Sequence, residues 1–281
     1  MVGAMLNVPF SSVMVLLLVC CYSLHGAVPA SERAALMQIY AENGGSRWKN
    51  ATHWNQGDPC ENKWFGVRCD GSNSHVIEFF PNPRYSGNEL VGTFPAAITA
   101  LTRLQQVYLS NDRTSSKLTG TIPESIGTLT ELQCFYVSHS YLSGQLPASF
   151  AQLTQLQGLY VRLNQFTGPF PDLSRLKDLQ HLWFDFNGGI TGSIDALGQL
   201  TQLGVVRGTF NKLNGTLPAA LCALGDKCSM SFNDFDCPLP SEGCCSVKHC
   251  GQIPIPSRKG AFAEPEREDD SETDSIVCHP Q

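Results

Sequence analysis

Charge is scarce in this chain: only 16% of its 281 residues are Asp, Glu, Lys or Arg. The net charge of −6 has a single origin, because Glu264 to Asp274 carries seven acidic residues against one Arg. Ser31 to Gly260 holds 18 acidic and 18 basic residues. A neutral body sets up no field for a polyanion, so nucleic acid is not expected as a partner. Histidine is sparse as well. The seven (residues 25, 53, 75, 139, 181, 249 and 279) show no metal-ligand spacing, and there is neither a nucleophile elbow nor a phosphate-cradling glycine loop. Asp185 follows His181 closely, but a solvated surface accounts for that pair. No catalytic residue, metal or cofactor is expected, and the chain reads as a non-enzyme. Long apolar runs are missing too. Val13 to Val19 is too short to span a bilayer comfortably, no Lys or Arg precedes it, and Gly26, Ala27 and Ala30 follow. That pattern reads as a secretory signal over residues 1–30, with cleavage after Ala30 or, alternatively, after Ala27. No later stretch reads as a membrane span or as the apolar tail of a lipid anchor, so the mature chain is expected outside the cell.

Cysteine, by contrast, is plentiful. Of twelve, Cys20 and Cys21 leave with the signal, and Cys60, Cys69, Cys134, Cys222, Cys228, Cys237, Cys244, Cys245, Cys250 and Cys278 remain. An even, clustered set in an exported chain reads as disulfides. The six from Cys222 to Cys250 allow fifteen pairings, while Cys134 and Cys278 have no obvious partner. Zinc at that cluster, with His249 and His279 nearby, is disfavoured because adjacent Cys244 and Cys245 do not fit common zinc spacings. Asn50-Ala-Thr52 and Asn214-Gly-Thr216 are N-glycan acceptors in an exported protein.

A repeat dominates the rest. One unit runs Leu153, Leu156, Leu159, Val161, Asn164, Phe166, Gly168, Phe170-Pro171, and another runs Leu200, Leu203, Val206, Asn211, Leu213, Gly215, Leu217-Pro218. Further units start at Leu101, Leu129 and Leu176, with a degenerate one before and a partial one after. Each supplies a short strand with alternating inward and outward residues. The Asn that follows can donate and accept at once, so stacked Asn side chains can satisfy backbone groups at the turn. One unit cannot bury its leucines alone; a stack can, and both of its ends then need caps.

This unit resembles the plant-type extracellular leucine-rich repeat. The segment from Glu32 through Trp48, Trp54 and Asp58-Pro59-Cys60 to Trp64-Phe65-Gly66-Val67-Arg68-Cys69 is similar to that family's N-terminal cap, and Phe232 to Pro240 to its C-terminal end. The resemblance implies an α/β repeat solenoid: a right-handed curved superhelix with an N-terminal helical cap, a Cys60–Cys69 bond and a Cys-rich C-terminal cap. The expected organisation is a signal over 1–30, a cap over 31–75, six or seven repeats over 76–236, a C-terminal cap over 237–260 and an acidic, disordered tail over 261–281. The family includes receptor ectodomains, polygalacturonase-inhibiting proteins and protist surface antigens.

In such a stack the outward strand residues form columns on the concave face. One column is Tyr108, Tyr136, Tyr160, Trp183, Arg207 and Ser229; two residues further on come Ser110, Ser138, Arg162, Asp185, Thr209 and Ser231. Tyr, Trp and Arg supply interface hot spots, so Tyr108, Tyr136, Tyr160, Arg162, Trp183, Asp185 and Arg207 are expected to contact a ligand. The competing reading is a self-stacking ladder that only stabilises the sheet. A second column, Phe186, Phe210 and Phe232, reads as packing at the sheet edge. The expected function is recognition of an extracellular protein, peptide or glycan; inhibition of a polysaccharide-degrading enzyme and a structural surface coat are the alternatives.

Overall fold

The computed structural model describes residues 27–81, 88–109, 117–247 and 250. Nearly all of the assigned signal, Ser110, Cys278 and the acidic tail lie outside the described residues.

Leu36 and Ile39 lie on one side of α1 (Ala30–Glu42), the one α-helix among the described residues, and are fully buried there. Every repeat then passes through two sheets. The first has eight strands: β1 (Val67–Cys69), β2 (Val76–Phe79), β4 (Gln106–Tyr108), β6 (Cys134–Tyr136), β8 (Gly158–Tyr160), β10 (His181–Trp183), β12 (Val205–Arg207) and β14 (Cys228–Ser229), in that order. Only β1 and β2 pair antiparallel; the others are parallel and in register, Val107 beside Phe135, Phe135 beside Leu159, and so on. These inward residues, with Leu182 and Val206, are fully buried. The second sheet contains β3 (Val91–Thr93), β5 (Lys117–Gly120), β7 (Tyr141–Gly144), β9 (Gln165–Pro169), β11 (Gly189–Gly192), β13 (Lys212–Gly215) and β15 (Asp234–Phe235).

Opposite the first sheet the chain forms 3-10 turns, among them Glu124–Thr128, Ala148–Gln152 and Asp195–Gln199. Pro123 and Pro147 stand immediately before the first two, where their missing N–H costs no turn hydrogen bond. Among the described residues the helical part of the expected α/β solenoid is thus confined to α1 and short 3-10 turns. Gly144 and Gly168, at or near the ends of β7 and β9, stand at φ 77° and 80°, a left-handed conformation that glycine adopts without steric cost. A Cβ on Gly168 would also come within 2.7 Å of the Gln145 side chain.

The asparagines form an internal ladder. Asn187 Nδ2 donates to the Phe184 carbonyl at 2.7 Å and to the Val161 carbonyl of the preceding repeat at 3.2 Å, while its Oδ1 accepts from Phe166 N–H at 3.2 Å. Asn164, Asn211 and Asn233 donate to carbonyls of their own and the preceding repeat in the same way. Asn187→Ala leaves buried carbonyls and an N–H without partners, each worth about 1–3 kcal/mol. The expected result is a loss of about 2–3 kcal/mol in denaturant unfolding; a loss below that of a surface substitution would mean that the ladder is decorative.

Both ends are closed. At the N-terminal end Tyr40, Trp48, Trp54, Trp64 and Phe79 pack ring against ring at 5.0–6.4 Å. Each indole N–H finds a carbonyl: Trp48 on Asn43, Trp54 on Phe65 and Trp64 on Gln56. Buried Glu32 accepts from Val76 N–H at 2.9 Å and meets His75 Nδ1 at 2.7 Å, which fastens α1 to β2. Cys60 is bonded to Cys69. At the other end Cys222–Cys244, Cys228–Cys245 and Cys237–Cys250 select one of the fifteen pairings. The adjacency of Cys244 and Cys245 lets one short turn clamp both the last 3-10 wall and β14.

Candidate ligand face

The outward residues of the eight-stranded sheet lie in register across the repeats. Cys134, Gly158, His181 and Val205 form one row, and Tyr136, Tyr160, Trp183 and Arg207 the next. Tyr108 joins the second row opposite Tyr136. The rings touch: Tyr108–Tyr136 stack at 5.7 Å, Tyr136–Tyr160 lie at 5.2 Å, and Tyr160–Trp183 meet edge-on at 5.2 Å. The Arg207 guanidinium sits over the Trp183 ring at 4.8 Å and that of Arg162 at 5.7 Å. Arg162 Nε also pairs with Asp185 Oδ2 at 3.2 Å. All seven residues singled out in the sequence therefore belong to one continuous surface. The ladder reading describes its inner contacts, and nothing in those contacts prevents the face from binding as well.

This face is more enclosed than an outward sheet surface should be. Tyr108 and Trp183 are each only 5% exposed, and Tyr160, Cys134 and Ser138 are fully buried. No described element packs across β6, β8 and β10 on this side. Several polar atoms here are buried without a hydrogen-bond partner, including Gln106 Oε1, Ser138 Oγ, His181 Nδ1 and Trp183 Nε1. The Tyr108 hydroxyl lies 3.7 Å from Cys134 Sγ.

Sequence reasoning placed the aromatic column but passed over the row two residues before it. Gln106, Cys134 and His181 line the same face, and the strand period of two was signal enough to find them. Phe80 packs against this aromatic cluster and follows β2, the strand beside β4, so it extends the column at its N-terminal end. Arg68 stands 5.8 Å from the Phe80 ring and 3.2 Å from Glu78. Burial pushes the Glu78 carboxyl above the usual carboxylate range, and Arg68 offsets part of that shift. At the sheet edge Phe186, Phe210 and Phe232 stack at 4.9 and 4.2 Å, each at φ 57°. Asn214 is exposed and Asn50 is half-buried, its Oδ1 accepting from the Thr52 hydroxyl at 2.6 Å.

Burial, and then the positive charge of Lys227, hold the His181 imidazole below its ordinary pKa of 6.5. The folded state therefore resists a proton that the unfolded chain accepts. The stability tied to neutral His181 is complete above about pH 6.5 and is lost as pH falls through the lowered folded value. The melting temperature should drop on acidification below pH 6.5, and His181→Gln should flatten that slope. Parallel profiles for the two proteins would show that His181 does not carry it.

Among the described residues no cluster of three or more His, Cys, Asp or Glu could hold a metal, and no helix is long and apolar enough to cross a membrane. The family described as leucine rich repeat N-terminal domain matches residues 29–70. Comparison with curated proteins gives no match. Among solved structures, that of PEPR1–AtPEP1 is 24% identical over 73% of this chain and 28% of its own, with a TM-score of 0.59. The BIR2 ectodomain from Arabidopsis thaliana is 21% identical over 76% of this chain and 98% of its own, with a TM-score of 0.53. The plant peptide hormone receptor RGFR1 in complex with RGF2 is 32% identical over 53% of this chain and 24% of its own, at a TM-score of 0.47. The chain thus spans about a quarter of the length of PEPR1 and RGFR1. The first two likenesses concern the fold. With an N-terminal cap that the leucine rich repeat N-terminal domain family matches, parallel repeats stacked behind it and disulfides at both ends, the chain has the fold of a capped leucine-rich-repeat solenoid.

Proposed function

We propose that the chain is a recognition protein whose concave face binds an extended peptide segment of an extracellular ligand. One observation carries this: the unbroken row Phe80, Tyr108, Tyr136, Tyr160, Trp183 ends in Arg207, with the Arg162–Asp185 pair alongside. Aromatic rows accept apolar side chains, and a pair of guanidinium groups at one end suits a carboxylate. The strands are about 4.8 Å apart, so a chain running across them meets a new pair of side chains at every step. A glycan ligand would use the same rings but would leave the arginines with less to do. The role is binding and not catalysis.

The test presents the exported full chain with a random peptide library, with cell-wall oligosaccharides and with itself at rising concentration. Saturable capture of peptides that combine apolar residues with a terminal or side-chain carboxylate is expected. Capture of oligosaccharides alone would support the inhibitor alternative, and concentration-dependent self-association alone would support the coat; either overturns the proposal.

A further inference from the structure

The N-terminal end of the concave face holds two buried acceptors that lack a donor. Glu78 is only 7% exposed; Arg68 donates to its Oε1 at 3.2 Å, while Oε2 is buried with no hydrogen-bond partner. Gln106, its neighbour in register on β4, buries an Oε1 in the same condition. The next pair along, Phe79 and Val107, is fully buried on the inward side, so Glu78 and Gln106 share the outward side with Phe80 and Tyr108. Toward the other end the polar atom left over is of the opposite kind. Trp183 Nε1 can only donate, and the Arg162 and Arg207 guanidiniums stand over its ring.

We propose that Glu78 and Gln106 form a subsite for a ligand ammonium group, which donates to Glu78 Oε2 and Gln106 Oε1 beside the rings of Phe80 and Tyr108. A buried acceptor without a donor is costly, and more so when it is charged, so a ligand that supplies the donor recovers that free energy on binding. An ammonium carries three donors on a compact charge, enough for both oxygens. Burial raises the Glu78 carboxyl above its ordinary range and Arg68 offsets only part of the shift, so the carboxylate is short of positive charge even with its partner in place. Aromatic faces attract a cation as well. A metal ion suits the place less, because among the described residues no group of three or more His, Cys, Asp or Glu could hold one.

The position of this subsite adds a ruler to the ligand. From β2 to β12, the strand of Arg207, is five strand spacings, about 24 Å. An extended peptide covers that distance in about seven residues. The ligand that satisfies both ends therefore carries an ammonium and a carboxylate about that far apart. The subsite itself stands on the geometry of Glu78 and Gln106; that its ammonium belongs to a peptide rests on the reading above.

The first test needs no peptide. Titrating the exported full chain with n-butylammonium chloride should shift the Phe80 and Tyr108 ring signals saturably in the NMR spectrum, while sodium chloride and n-butanol at the same concentrations leave them in place. Glu78→Gln should abolish the shift. Gln106→Leu, which keeps the Arg68–Glu78 pair, should weaken it and serves alone where Glu78→Gln does not fold. No shift, an equal shift with sodium, or an undiminished shift in the variants overturns the subsite. The second test offers peptides of about eight residues in four sets, with the amino terminus free or acetylated and lysine present or absent. The set with neither ammonium should bind about tenfold more weakly than the others, and which of the singly charged sets is retained tells an amino terminus from a lysine. Equal retention of all four overturns the subsite and leaves the peptide-binding reading standing. A butylammonium shift with no peptide retained upholds the subsite and counts against the peptide-binding reading alone.

Discussion

Trp64→Ala should destabilise the protein by about 3–5 kcal/mol and reduce its export sharply. The residue is 1% exposed at the centre of the N-terminal cap, with its ring 5.0 Å from that of Trp54 and the Arg33 guanidinium over it at 5.9 Å. Its indole N–H donates to the Gln56 carbonyl at 2.8 Å, and its backbone carbonyl accepts from Val67 N–H as β1 begins. Truncation opens a cavity beneath the loop that the Cys60–Cys69 bond closes and leaves the Gln56 carbonyl unsatisfied. A solenoid is stabilised largely by contacts between nearest neighbours, so a breached cap exposes Leu36, Ile39 and Phe79 and lets unfolding start from that end. Denaturant unfolding and the secreted yield report this together. A loss under 1 kcal/mol would mean that the cap folds independently of the first repeats.

Trp183→Ala should show two effects, and their ratio is informative. Trp183 is 5% exposed, in contact with Tyr160 and beneath two guanidinium groups, so about 3 kcal/mol of stability should go with the ring. If the face binds a partner, about 2 kcal/mol or more of affinity should go as well, since a central Trp flanked by Arg is a typical hot spot. Trp183→Phe separates the two effects. It keeps a ring for Tyr160 and the arginines but removes Nε1, which is buried without a hydrogen-bond partner. Stability should recover most of its loss in the phenylalanine variant. Affinity lost in the alanine variant and restored in the phenylalanine one assigns the hot spot to the ring face; affinity unchanged in both removes Trp183 from the binding surface.

The sequence by itself determined the repeat, because its period is a packing requirement. Leu159 and Leu182 must alternate with Tyr160 and Trp183 for any strand stack to have an inside, and Asn187 must stand where three backbone groups converge. The ends were legible for the same reason: a stack of leucines needs lids, and three of the four tryptophans and most of the cysteines gather there. The outward column could be read off as well, since a strand's two-residue period fixes which side chains share a face.

Tertiary structure decided what that period leaves free. It selected the cysteine pairing at the C-terminal end, because which sulfurs meet depends on how the last 3-10 wall folds against β14 and not on their order in the chain. It formed the second, seven-stranded sheet from segments such as Gln165–Pro169, whose mixed polarity carries no strong strand signal and whose pairing follows from the stacking of the repeats beside it. It buried Glu32 against His75 and Val76, a contact between residues more than forty positions apart. It also enclosed the concave face around a disulfide-bonded Cys134, which a sequence showing only alternation presents as an odd cysteine on an open surface. Periodicity reports the direction in which a side chain leaves its own strand; what lies at the far end of that direction depends on residues distant in sequence, and only the folded chain brings them there.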